Sequence, residues 1–532
     1  MSGNEILTIQ FGTYANHVGA HYFNIQESGF SYNPNFVPEV DNDILFREAE
    51  SNGRPAYTPR LLVVDANFSI GGDVSLTGET FSDLPPEEEV KKNVGDAVVD
   101  VLDKRQEART TPLSTNPLAS YEDISDKVKY WTDFISVPVN HRTYHIIDSL
   151  LLPENVLKDG LYSYGADIWS RSDFEESIVD DIRYHLEDCD NLQGFHVLID
   201  SQTLFSGVSS GCLQHLRDEY GKKTILSCPL FNNIGDKDQS AYFSERLNAA
   251  HSFSKCTELC DLVVPLGTDF NPYQLSTRKF HLLNFKEDCF NTSSLQAVGL
   301  EMITLPYRIR DRSVKLDSLT KNLNIYGRSV LSTVIHVPWT LNRSGYLYDE
   351  LMNWKGQFTP LTPILQCDNS FLDVQWITAK FNIPLLIRES DKKMLQDINP
   401  VLSFTKNKEI FEYYFYTLLN RTKTLATPIN EKFRLPKNFP DIFKQVQNCS
   451  YKIPEKAPDG VYYGNLRSME VIAGLQQTRE IASLLKEINL NENFMKRAVP
   501  KLDKMGLKMM DLETDAEQLT NMVSCYEPTE FL

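Results

Sequence analysis

The sequence predicts an α/β fold: a Rossmann-type, doubly wound and mostly parallel sheet, with a helical region at the C-terminal end. Three observations carry this. Strand and helix signals alternate through the first half of the chain. The run Arg60-Leu61-Leu62-Val63-Val64-Asp65 is apolar on both faces, the pattern of a strand covered by helices on each side. Between Asp173 and Cys189, Phe174, Ile178, Ile182 and Leu186 recur every four residues, the spacing of an amphipathic helix. Strands separated by such helices join through right-handed crossovers into one parallel sheet.

Taken in order, Glu5 to Gln10 reads as the first strand, followed by a loop at Gly12 and an aromatic-rich helix. Arg60 to Asp65 is the next strand. The helix from Asp173 to Cys189 has Asp173 as its expected N-cap, because a short acidic side chain can accept from the orphan amides of the first turn. Gly194 to Asp200, Thr224 to Pro229 and Asp261 to Leu266 read as further strands with helices between them. Residues 81–126 break the alternation. Pro85-Pro86-Glu87-Glu88-Glu89 and the Thr/Pro/Ser run from Thr110 to Pro117 predict a polar, partly disordered insertion with one short helix over Val90 to Glu107. Later strands are expected near Met302 to Tyr307, Ser332 to Pro338 and Ile383 to Ile387. From about Asp441 the pattern turns helical.

Composition excludes several function classes. With 53 basic and 72 acidic residues the net charge is −19, the wrong sign for a phosphate-backbone partner or a polybasic membrane anchor, so no nucleic acid is expected. No apolar run approaches the roughly 18 residues of a membrane span, and Met1 to Glu5 lacks the basic start of a signal peptide. Of the nine cysteines only Cys256 and Cys260 are close, at helical spacing and without a second pair, so reduced buried thiols are expected. His141 and His145, four apart, lack a third ligand, and no metal site is expected.

The segment from Glu5 to Phe23, with Gly12-Thr13-Tyr14-Ala15-Asn16 at its centre, resembles the first strand, phosphate loop and helix of tubulins, and Pro59 to Asp65 resembles their second strand. Leu192-Gln193-Gly194-Phe195 and Asp218 to Lys223 flank the place of the tubulin glycine signature. Ile303-Thr304, Asn322-Leu323 and Ile335-His336 extend the likeness to about residue 340. Within that superfamily the chain is identified as a member of the Misato family by Asn24-Ile25-Gln26-Glu27-Ser28, by Tyr130-Trp131-Thr132-Asp133-Phe134 and by Phe205-Ser206-Gly207-Val208. The resemblance implies a nucleotide-binding-type domain over 1–275, a core helix and α+β intermediate domain over 276–435, and a helical C-terminal region over 436–532.

What it implies for the site is mixed. A tubulin phosphate loop is glycine-rich because backbone N–H groups must approach phosphates without side chains between them. Here Ser201-Gln202-Thr203-Leu204-Phe205-Ser206-Gly207 keeps only Ser206-Gly207, and Leu204 and Phe205 put bulk where phosphate oxygens would lie. Gly12 is kept, and Thr13 stands at a glutamine position. Asp65 is kept at an acidic position near magnesium, open also to a turn-capping role, while Asn67 replaces the neighbouring glutamate. Glu245 matches the ribose-contacting glutamate, Thr268 and Ser293 stand near the base-reading positions, and Phe290 is either a base-stacking or a core residue. The hydrolytic loop is altered, with Lys315 and Ser318 in place of its two carboxylates.

The residual nucleotide-site positions are therefore Gly12, Thr13, Asp65, Ser206, Gly207 and Glu245. No catalytic residue and no bound cofactor are expected, with GTP the one candidate. The resemblance implies a non-polymerising protein of mitochondrial distribution, morphology and fusion, in the cytoplasm or held peripherally at the mitochondrial outer membrane. Its partners would be mitochondrial outer-surface proteins, tubulin or cytosolic chaperonin. A cytosolic tubulin-biogenesis or spindle-assembly factor, and a weak GTP-binding protein with a rebuilt site, are the alternatives.

Overall fold

The computed structural model describes residues 4–31, 37–51, 54–66, 128–147, 160–232, 239–268, 288–310, 314–339, 341, 346–365, 371–382, 404, 406–419, 422–443, 468–498 and 507–527. The polar insertion over 81–126 and the strand expected at Ile383 to Ile387 lie outside them.

The chain opens with β1 (Ile6–Phe11), every residue of it buried, and turns at Gly12 into α1 (Thr13–Ser28). A hairpin of β2 (Phe46–Ser51) and β3 (Arg54–Pro59) leads to β4 (Leu61–Ala66) and then β5 (Tyr144–Ile147). Helices α2 (Tyr162–Trp169) and α3 (Ser172–Glu187) precede β6 (Gly194–Asp200). The sheet then continues through α4 (Phe205–Glu219), β7 (Thr224–Phe231), α5 (Gln239–Leu259), β8 (Leu262–Val263) and β9 (Leu266–Gly267). Its order is β5-β4-β1-β6-β7-β8, with β9 also on β7, and every pairing is parallel. This is the doubly wound arrangement predicted, and strand order reverses between β1 and β6.

Asp173 does not cap α3. The cap is Arg171, without a side-chain bond, and Asp173 lies in the first turn, where an acid is still favoured by the helix dipole. Met302 to Tyr307 is not a strand. Helix α6 (Cys289–Thr304) runs through Met302 and ends in a 3₁₀ turn at Leu305–Tyr307. Every residue from Phe290 to Thr304 is buried, so no solvent-facing side imposes a helical period on α6, and its apolar end at Met302-Ile303 reads equally as a buried strand. It packs between α1 and the second sheet, the place of a core helix.

Beyond α7 (Leu316–Leu323), the chain forms β10 (Ser332–His336), α8 (Leu347–Trp354), β11 (Thr359–Pro360), β12 (Leu372–Lys380), α9 (Asn407–Leu418), β13 (Lys423–Ile429), β14 (Phe433–Arg434) and β15 (Ser468–Met469). The C-terminal helices α10 (Ile481–Ile488), α11 (Glu492–Ala498) and α12 (Met509–Tyr526) are present. Ahead of them, where the sequence suggests helix, lies β16 (Val471–Thr478), buried throughout and seated between β10 and β12 in the second sheet, β11-β10-β16-β12-β13. Its glutamines disguise it. Gln476 donates to Gln375 Oε1 (2.9 Å) and Gln477 to the Ile325 carbonyl (3.0 Å), so both side-chain amides find acceptors inside the fold.

Candidate nucleotide-type site

In a doubly wound sheet ligands bind outside the carboxyl ends of the strands where the order reverses. Here that crevice lies between the end of β1, at Gly12, and the end of β6, at Asp200. Gly12 has φ +96°, and a Cβ built on it would stand 2.7 Å from Asp200 Cβ and 2.9 Å from the Phe205 ring. Only glycine fits that conformation and that gap.

Of the residues that sequence reasoning singled out, Thr13 and Asp65 bond to each other here, while Gly12, Ser206 and Gly207 bond to neighbouring backbone. Asp65 is fully buried at the end of β4 and receives four donors. Thr13 Oγ1 (2.9 Å) and the Ala66 N–H (2.8 Å) reach Oδ1. Asn16 Nδ2 (2.8 Å) and Trp131 Nε1 (2.8 Å) reach Oδ2. Two carboxylate oxygens offer about four lone-pair positions, so this set is complete. Burial raises the Asp65 pKa, against the pull of these donors.

Three amides of these loops are likewise spoken for. The Gly12 N–H donates to Val64 O (2.9 Å), Ser206 N–H to Thr203 O (3.1 Å) and Gly207 N–H to Leu204 O (2.9 Å). The Ser206 hydroxyl also turns back to Thr203 O (2.8 Å). Leu204 and Phe205 are buried, and Leu204 is helical in its own backbone, so α4 begins in a tight turn rather than in an open cradle. Gly207 serves a helix crossing. A Cβ there would lie 1.9 Å from the Tyr162 carbonyl, and one on Gly165 would lie 1.9 Å from the Leu204 carbonyl, so α2 and α4 touch through backbone.

Asp200 is the residue that sequence reasoning missed. Burial pushes its pKa up to about 7, the backbone N–H groups of Tyr14 and Gln202 that it accepts pull the other way, and the charges of Asp65 and Glu245 add to the rise. The signal available was an acid at the carboxyl end of the strand beside the reversal point. Half-buried Glu245 is thus near the crevice on α5, and one turn on Asn248 ties its floor, donating to Gly160 O and Gln202 O at 3.0 Å each.

Of the remaining candidates, Phe290 is a core residue 3% exposed, with its ring 4.9 Å from Phe134 and 5.0 Å from His21. Ser293 and Thr268 are buried, Ser293 donating to Phe290 O (3.3 Å). Asn67 lies outside the described residues. Burial lowers His17 to about 4 and His21 to about 3, leaving both imidazoles neutral. His141 sits in a 3₁₀ turn and His145 in β5, so they share no helix face, and His145 Nε2 faces Asp181 (3.2 Å). Among the described residues no group of three His, Cys, Asp or Glu side chains is placed to hold a metal ion. Lys315 and Ser318 lie at the opposite end of the sheet, where the Leu316 N–H bonds Gln193 Oε1 (3.0 Å) just before β6 begins.

Sequence comparison agrees with this frame. The family profile described as the Misato Segment II tubulin-like domain matches residues 4–117, and a tubulin domain profile matches residues 121–309. The chain belongs to the Misato family of tubulin-like proteins. It is 26% identical to Protein misato of Drosophila melanogaster over 574 aligned positions, covering 99% of each chain. Protein misato homolog 1 of Mus musculus is 23% identical over 570 positions, again 99% of each. Protein DML1 of Phaeosphaeria nodorum is 27% identical across 58% of this chain and 59% of its own.

Two of the Misato-type segments meet at the site. Asn24 Nδ2 donates to the Phe134 carbonyl (2.8 Å), and Asn24 Oδ1 accepts from the Ser136 N–H (2.8 Å) and hydroxyl (2.9 Å). The same hydroxyl lies 2.8 Å from Glu27 Oε2, so its one proton is shared between the two acceptors. Helix α1 thereby fixes the segment that carries Trp131, buried to 1%, onto Asp65.

Proposed function

We propose that this Misato-family chain is a non-enzymatic, non-polymerising tubulin derivative, working through protein contacts in the distribution, morphology and fusion of mitochondria. It would act from the cytosol or peripherally at the outer mitochondrial surface. Its crevice would be a structural relic that neither holds GTP nor hydrolyses it. The mitochondrial role rests on the family resemblance. Among the described residues no helix is long and apolar enough to cross a membrane, which fits peripheral attachment.

The observation that carries the loss of the nucleotide is Asp200. A phosphate at the start of α1 would need backbone N–H groups and a positive field. The Tyr14 amide instead serves a carboxylate of the chain itself, with Asp65 and Glu245 close enough to raise its pKa. Magnesium fares no better: both oxygens of Asp65, the acid kept at the metal position, are filled by Thr13, Ala66, Asn16 and Trp131. Lys315 and Ser318 supply no carboxylate to polarise a water.

Two experiments test this. Purified protein is expected to contain no guanine nucleotide and to give no calorimetric signal with GTP and magnesium; micromolar or tighter binding would overturn the relic reading. Cells depleted of the protein are expected to show altered mitochondrial morphology that a Lys315→Ala, Ser318→Ala variant rescues fully. Affinity capture yielding only chaperonin and tubulin, with no mitochondrial-surface partner, would refute the mitochondrial role.

A further inference from the structure

Three helices meet at a Ser–His–Asp set that the crevice does not use. Ser210 Oγ on α4 lies 3.0 Å from His251 Nε2 on α5, and His251 Nδ1 lies 3.0 Å from Asp515 Oδ2 on α12. The side chains of His251 and Asp515 are 12% and 4% exposed. The order of groups is that of a hydrolase charge relay. Hydrolysis does not follow from it. The Ser210 hydroxyl donates to the Ser206 carbonyl at 2.6 Å, one turn back in its own helix. Ser210 also sits inside α4, where backbone amides belong to the helix ladder, so no pair of N–H groups is presented to an oxyanion.

The set does connect the C-terminal helix to the loop that replaces the phosphate cradle. The His251 ring lies flat on Tyr162, centroids 3.9 Å apart and planes within 7°. The Tyr162 N–H donates to Asn248 Oδ1 (2.7 Å), and Asn248, one turn before His251, holds the carbonyls of Gly160 and Gln202. On the other side Ser210 is one turn from Ser206, whose amide, with those of Gly207 and Val208, bonds to Thr203 and Leu204. Helix α12 packs on α5 and α10 through Leu512, Leu519, Met522 and Val523, and its far end is pinned separately, Tyr526 Oη donating to Val330 O (2.6 Å). A buried imidazole with two polar partners and an aromatic face is a high-stakes contact, since losing one partner leaves the others unsatisfied.

We propose that Asp515, His251 and Ser210 form a latch through which docking of α12 sets the rigidity of the Ser201–Leu204 loop and the first turn of α4. A protein partner that lifts α12 would then loosen the crevice without touching it. The test is hydrogen–deuterium exchange on the full chain, comparing wild type with Asp515→Ala, Asp515→Asn and His251→Phe. The phenylalanine keeps a ring against Tyr162 and removes both hydrogen bonds. Each variant is expected to exchange at least tenfold faster in peptides covering 509–526 and also in those covering 203–210, with peptides of β1 and β4 unchanged. Faster exchange in 509–526 alone would overturn the coupling, and so would no change in either. Asparagine preserves shape, so the test survives if the alanine variant does not fold. Labelling of Ser210 by a fluorophosphonate would overturn it too, because an activated nucleophile is not a latch.

Discussion

Replacing Asp200 by asparagine tests the electrostatics of the crevice directly. Burial and the charges of Asp65 and Glu245 move this carboxyl from 3.8 in the unfolded chain to about 7 in the folded one. The folded state therefore holds a proton that the unfolded state releases between those values. A raised acid makes its full contribution below pH 3.8, and that contribution is lost as pH rises toward 7. Three units at 1.36 kcal/mol each make ionised Asp200 cost about 4 kcal/mol at pH 8. Asparagine removes that cost but keeps a single acceptor oxygen for the two amides, a loss of about 1–2 kcal/mol. We expect Asp200→Asn to be less stable than wild type by up to about 1 kcal/mol at pH 4.5, where part of the contribution is already lost, and more stable by about 2–3 kcal/mol at pH 8, a Tm rise of about 2 °C in a chain of this length. Urea titrations of both proteins across pH 4.5–8 measure the difference. A difference that does not vary with pH would refute the argument, because it would mean that Asp200 does not titrate in this range.

Three further outcomes follow from contacts already described. Gly165→Ala and Gly207→Ala each place a methyl 1.9 Å from a backbone carbonyl, so we expect losses of 3 kcal/mol or more, read as soluble yield and Tm; a wild-type Tm would show that α2 and α4 are not in backbone contact. Trp131→Phe leaves buried Asp65 with one donor fewer and should lower the unfolding free energy by roughly 1–3 kcal/mol, whereas an unchanged urea midpoint would show that the indole N–H is not bonded there. His17, lowered to about 4 by burial, is neutral when folded, so its contribution is complete above 6.5 and lost as pH falls toward 4. At pH 5 this costs wild type roughly 2 kcal/mol relative to pH 7.5. His17→Gln should lack that part of the pH dependence, and equal slopes for the two proteins would count against a buried neutral imidazole.

Much of the frame was legible because it depends on local pattern. Gly194 to Asp200 is a strand with the bounds its apolar run suggests, and the four-residue spacing of α3 marks a helix. Where burial is complete, the pattern fails in both directions. The stretch from Met302 belongs to a helix whose every face is covered, and Val471 to Thr478 is a strand whose glutamines donate to Gln375 in β12 and to the Ile325 carbonyl. Neither fact exists until the two sheets close around α6.

The candidate site divides along the same line. The resemblance to tubulins, read from the sequence by itself, implied which groups differ from their nucleotide site: Leu204 and Phe205 where the pattern has glycines, and Lys315 and Ser318 where it has carboxylates. Those are differences against a motif, and a linear comparison is enough to see them. What became of the groups that remain was decided by tertiary structure. Asp65, Trp131 and Asp200 are separated by dozens of residues, and the roles of Trp131 and Asp200 were invisible until the parallel sheet set the ends of β1, β4 and β6 side by side. Hydrogen bonds saturate: once Thr13, Ala66, Asn16 and Trp131 have reached Asp65, the carboxylate that the sequence preserves has no lone pair left to offer.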